Sequence, residues 1–210
     1  MGEIRRIVDI LAEANATIDQ MGTTAFVDAL HRGDNAPALM EIKEALELGQ
    51  FAELYNQTNT PKLIYAQANP PGSGRADFTV WDDTQNWSRD FEVTSLWERE
   101  DNFPQYTDED DPDATHVELS LPRRTLDELL RELTKKIKRE LYKHARRTHY
   151  PTYWLAVYTN FSREAYKVPP DYAAQVVTQA LAAKPPSSNV ERVWVWNPDL
   201  QLAYSTQNPG

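Results

Sequence analysis

The change of hydrophobic period along this chain most constrains what it can fold into. Three short runs rich in β-branched and aromatic residues follow one another: KLIYAQA (62–68), ADFTVWD (76–82) and DFEVTSLW (90–97). The turn-forming stretches NPPGSG and DTQNWSR separate them, and that pattern predicts an antiparallel start to a sheet. After Thr125 the period becomes helical. Leu126, Leu129, Leu130, Leu133, Ile137 and Leu141 form one apolar stripe of a helix running to about residue 147, with Thr125 as N-cap and Glu128 completing a capping box. TYWLAVYT (152–159) is a continuous apolar run of the kind that is buried on both faces. A helix in PDYAAQVVTQALAA, a strand in VERVWVW and an edge strand in QLAYST complete the order. Helices alternating with strands demand crossovers, so the expected class is α/β with a mixed sheet flanked by helices, in the order αβββαβαβ.

Upstream, residues 3–14 and TTAFVDALHRG read as accessory helices. ALMEIKEALELGQFAELYNQ reads as one helix or a pair broken at Gly49, with Asn35 as N-cap and Pro37 in its first turn. The expected organisation is an N-terminal helical extension over 1–36 and an α/β domain over 37–210. The acidic stretch 98–121 reads as a long loop, with a brief strand at THVELSL.

Composition closes several function classes. No cysteine occurs, so thiolate metal sites, thiol nucleophiles and disulfides are excluded. No run approaches the ~20 apolar residues that span a bilayer, so no membrane association is expected. The N-terminus shows no signal-peptide pattern, and a cytoplasmic home is the expectation. A formal net charge of −10 opposes nonspecific attraction to phosphate backbones, so any contact with nucleic acid must be local. Positive charge is concentrated in 123–147, opposite in sign to the 98–121 loop.

The side chains that carry chemistry sit on the second and third strands. Alternation puts Asp77, Thr79 and Trp81 on one face of ADFTVWD, and Glu92, Thr94 and Leu96 together in DFEVTSLW. A carboxylate between Phe91 and Val93 is costly to desolvate unless it is paired or bound to a cation. Two carboxylates from adjacent strands can converge on Mg²⁺, which is held by one or two such groups with waters and substrate phosphate. Ordinary salt-bridged carboxylates are the alternative reading.

RADF followed by FEVT on consecutive strands, within this order of elements, resembles the restriction-endonuclease-like superfamily of PD-(D/E)XK nucleases over about residues 37–197. The resemblance implies Mg²⁺- or Mn²⁺-dependent hydrolysis of phosphodiesters in nucleic acid, DNA ahead of RNA. It implies Asp77 and Glu92 as metal ligands, joined by the Val93 carbonyl. Ala76 stands where the family has proline, a backbone-shaping position. Thr94 stands where the family has lysine and cannot supply its positive charge. Some members carry that lysine on the helix after the third strand, and Lys136 and Lys138 flank the stripe here while Lys135 points away from it. A further acid on the first core helix has three candidates, Glu41, Glu44 and Glu53. The rival expectation is a catalytically inactive nuclease-like fold, an interaction subunit of a nucleic-acid-processing or defence assembly with the 98–121 loop as its protein-binding segment. A homodimer is compatible with either.

Other residues read as structural. His31, His116, His144 and His149 show no HxH or HExxH spacing, so zinc is not expected. His144 falls on the apolar stripe and reads as a core-edge residue. The six tryptophans read as packing ahead of base stacking, and NPPGSGRAD is a turn with no phosphate-loop lysine.

Overall fold

The computed structural model describes residues 3–32, 36–70, 73–96, 125–145, 151–159, 169, 171–183, 189–197 and 202–207. Their elements are β1 (Arg5–Arg6), α1 (Ile7–Met21), α2 (Thr23–Arg32), α3 (Ala36–Thr58), β2 (Tyr65–Ala68), β3 (Phe78–Trp81), β4 (Ser88–Leu96), α4 (Leu126–Ala145), β5 (Tyr153–Thr159), α5 (Tyr172–Leu181), β6 (Val190–Asn197) and β7 (Leu202–Gln207). The strands form one seven-stranded sheet in sequence order. β1 to β4 are successively antiparallel, β4, β5 and β6 are parallel, and β7 returns antiparallel against β6. The expected α/β class with a mixed sheet is what forms.

Each parallel step is bridged by a helix, and both helices cover the same face. Leu129, Leu133, Ile137 and Leu141 of α4 and Val176, Val177 and Ala180 of α5 pack with Tyr153, Leu155, Val157, Val193 and Val195. The other face carries α3, whose Leu48, Phe51 and Tyr55 meet Phe91, Val93, Trp154, Trp194 and Trp196. β5 is therefore covered above and below, which is why its sequence shows no alternation. Trp154, Trp194 and Trp196 are core residues, out of reach of a nucleic-acid base. Trp97, the 98–121 loop with its THVELSL segment, Asn35, His116 and His149 lie outside the described residues.

Thr125 and Glu128 form the capping box that starts α4. The Thr125 amide donates to Glu128 Oε2 at 2.9 Å, and the Glu128 amide donates to Thr125 Oγ1 at 3.2 Å. α3 runs unbroken through Gly49. A Cβ at that position would lie 2.6 Å from Leu11 Cβ, so the glycine marks the closest approach of α1 to α3 and does not break the helix. The N-terminal segment is also tied to the sheet: β1 pairs with β2, and Ile7 is buried with Phe51 and Val80. Beyond it, Ile18 of α1, Phe26 and Ala29 of α2 and Leu39 of α3 make a small separate core.

Candidate metal centre

The β3–β4 ladder ends at the pair Phe78 and Phe91. One residue further, β4 continues along β5 to the pair Leu96 and Thr159, but among the described residues no strand lies beside its other edge. Asp77 sits at that corner. Its Oδ2 accepts the Val93 amide at 2.9 Å, a bond that a strand carbonyl would otherwise accept. In a β-ladder the N–H and C=O of one residue project toward the same neighbour, so the Val93 carbonyl faces this open edge too. Alternation holds on β4: Phe91 and Val93 belong to the α3-side core, so Glu92 between them turns toward α4, where it meets His144. Asp77 precedes β3, between Ala76 of the α4-side core and Phe78 of the α3-side core, and its side chain reaches the Val93 amide along the sheet edge.

Glu92 is 5% exposed and meets α4 directly. Its Oε1 lies 2.9 Å from His144 Nε2 and 3.5 Å from Lys143 Nζ. Lys143 also donates to Glu140 Oε2 at 3.2 Å, and Lys136 Nζ lies 3.3 Å from Glu140 Oε1. From the opposite helix, α3 brings Glu44 into the same space. A cavity of about 290 Å³ is lined by Glu44, Asp77, Glu92, Thr94, Lys136 and Lys143, among others. A larger groove of about 850 Å³ shares Glu44, Asp77, Glu92 and Lys143 with it and continues along Arg75 and Arg5.

The electrostatics follow from crowding acids in a partly dry space. Burial, then the charges of Glu92 and Glu44, push the Asp77 carboxyl up to about 8, against the opposing Val93 amide and Lys143. Burial likewise raises Glu44 to about 7, with Lys43 opposing and Glu47, Glu92 and Glu41 adding to the rise. Burial pulls the Lys143 ammonium down, but Glu140, Glu92 and Asp77 together outweigh it and leave its pKa raised. Without a further cation, the acids hold protons into the neutral range.

No family model, curated protein or solved structure matches this chain.

Two carboxylates and a backbone carbonyl form an all-oxygen donor set, which suits a hard divalent ion such as Mg²⁺ or Mn²⁺. The raised Asp77 and Glu44 carboxyls are the second sign of fit, because a divalent charge is what would let them ionise together. Among the residues anticipated from sequence, Asp77, Glu92, Val93, Thr94 and Lys136 line one cavity, whereas Lys138 lines neither. Glu44 and Glu41 line the groove and Glu53 does not. Sequence reasoning missed Lys143, Glu140 and His144 as site residues. Lys136, Glu140 and Lys143 recur at steps of four and three, which puts them on one side of the helix. That periodicity is the available signal; Lys136 and Lys138 flank the stripe equally well in sequence, and only the packing of α4 brings Lys143 to Glu92.

Proposed function

We propose that the chain is a Mg²⁺- or Mn²⁺-dependent nuclease of PD-(D/E)XK type in which the missing strand lysine is replaced from α4 by Lys143. The observation that carries the reading is the Asp77 carboxylate bonded to the Val93 amide beside Glu92, with the Lys143 ammonium 3.5 Å from Glu92. The sheet order, an antiparallel meander followed by helix-bridged parallel strands, supports the same resemblance.

Asp77, Glu92 and the Val93 carbonyl would hold the ion. The bound ion would supply Lewis-acid polarisation of a phosphoryl oxygen and a more acidic water. Lys143 would offset the negative charge that grows on the phosphate, the role that neutral Thr94 cannot fill. Glu44, with its carboxyl raised to about 7, is placed to accept a proton from the attacking water at neutral pH. A nucleic-acid substrate, DNA ahead of RNA, and a cytoplasmic setting belong to the same reading. Among the described residues no helix is long and apolar enough to cross a membrane.

A second reading is favoured by Thr94 and the net charge of −10: a catalytically inactive fold that serves as a protein-interaction subunit. The deciding experiment incubates the protein with single- and double-stranded DNA and RNA, with and without Mg²⁺ or Mn²⁺, beside Asp77→Ala and Glu92→Ala. The nuclease reading expects metal-dependent cleavage that each substitution lowers by at least about 100-fold. Cleavage that persists in both variants, or its absence from the wild type on every substrate, would remove it.

A further inference from the structure

We propose that Glu92, Glu140 and His144 form a second divalent-ion site, one that prefers a borderline transition ion such as Zn²⁺ to Mg²⁺. Its donors come from two elements. Glu140 and His144 are four residues apart on α4, the spacing that puts two ligands on one helix face, and Glu92 projects from β4. One donor atom from each of the three lies within 4.8 Å of the others. His144 Nε2 is 2.9 Å from Glu92 Oε1 and 3.8 Å from Glu140 Oε2. Donors bound at about 2.0–2.2 Å around one ion must stand roughly this close.

The composition of the set decides the ion. One imidazole nitrogen and two carboxylates suit Zn²⁺, Mn²⁺ or Co²⁺, whereas Mg²⁺ prefers oxygen alone. Three protein donors with an open position is the arrangement of reactive zinc sites, and Glu92 and Glu140 both border the cavity. Burial supplies the rigidity. The His144 side chain is fully buried, with its ring set edge-on to Tyr153 at 5.1 Å between centroids. Histidine-to-histidine spacing gave no hint of such a site, since its partners are glutamates.

Lys143 contacts both acids, 3.2 Å from Glu140 and 3.5 Å from Glu92. Its side chain is 48% exposed, so the ammonium can withdraw into solvent when an ion arrives. Lys143 and the ion are therefore competitors. The three-residue site stands without the nuclease reading; only the sharing of Glu92 with the first ion rests on it.

Asp77→Asn protein removes the first site and isolates the second. Titrated with Co²⁺, it should develop visible d–d absorption, and Zn²⁺ should abolish the signal at concentrations where Mg²⁺ leaves it unchanged. Adding His144→Gln or Glu140→Gln should weaken Co²⁺ by at least about tenfold, and adding Lys143→Ala should tighten it several-fold. Circular dichroism reports whether each variant is folded. If His144→Gln unfolds, the opposed effects of Glu140→Gln and Lys143→Ala decide the matter. No Co²⁺ signal in Asp77→Asn, or an affinity unchanged by the folded variants, overturns the site. Failure of the nuclease reading would show instead as no cleavage by the wild type with Mg²⁺, a result that leaves the Co²⁺ titration intact.

Discussion

The Val93 amide donates to the Asp77 carboxylate at 2.9 Å, so a side chain takes over where the β3–β4 ladder stops. This single bond turns a frayed sheet edge into a corner with an acid fixed beside Glu92. It also ties Asp77 ionisation to the integrity of β4.

Stability should therefore fall as pH rises in metal-free protein. The Asp77 carboxyl moves from an ordinary value of 3.8 to about 8 on folding, so between those limits the folded chain keeps a proton that the unfolded chain has lost. The stabilisation is complete below about pH 4 and is lost as pH rises toward 8, with a slope of up to about 1.4 kcal/mol per pH unit. Denaturant titrations in a chelator at pH 5, 6, 7 and 8 should show this decline superimposed on other titrations. Asp77→Asn should flatten it over pH 5–8.

Metal binding should show the opposite trend. An ion held by Asp77 beside Glu44 must displace the Asp77 proton and favours loss of the Glu44 proton, from carboxyls that titrate near 8 and 7, so Mg²⁺ affinity should rise up to about tenfold per pH unit for each proton released between pH 6 and 8. Calorimetry in buffers of different ionisation enthalpy would count the protons. An affinity independent of pH over this range would rule out Asp77 as a ligand.

Cleavage, once detected, should depend more on Lys143 than on the other lysines of α4. Lys143→Ala should lower kcat by about 100-fold or more, while Lys138→Ala, whose position lines neither cavity, should cost far less. Single-turnover rates at saturating Mg²⁺ would give the ranking. Equal losses would mean that the ammonium 3.5 Å from Glu92 does not act on the phosphate.

Gly49→Ala should destabilise the fold although alanine is the better helix former. The new methyl would lie 2.6 Å from Leu11 Cβ and 2.8 Å from Leu11 Cδ1, an overlap that costs about 1–3 kcal/mol against a propensity gain of roughly 1 kcal/mol. A net loss near 1 kcal/mol corresponds to about 2–4 °C in Tm for a chain of this size. Combining it with Leu11→Ala should recover only part of the overlap cost, because the Leu11 Cγ and Cδ1 contacts go while the Cβ at 2.6 Å stays.

Much of the framework was legible because local periods carry it. The leucine stripe of α4, its Thr125–Glu128 cap and the apolar run of β5 each reflect a short-range rule, and each element lies within a few residues of its expected position. Strand alternation placed Glu92 opposite Phe91 and Val93, as it stands on β4. Gly49 was ambiguous because a helix break and a close helix crossing call for the same residue. Only the presence of Leu11 across the gap distinguishes them.

What the sequence by itself determined was the alternation of helices and strands from residue 62 onward and the acid on β4, since side-chain periodicity is a property of neighbours in the chain; β1, read as part of a helix, is a strand only because it pairs with β2. Only the tertiary structure decided which cation-bearing and nitrogen-bearing groups meet that acid. Lys143 and His144 lie 51 and 52 positions after Glu92, and nothing local predicts the rotation at which α4 settles on the sheet. The burial of Leu129, Leu133, Ile137 and Leu141 against β5 and β6 fixes that rotation, and packing thereby sets the chemistry of the site.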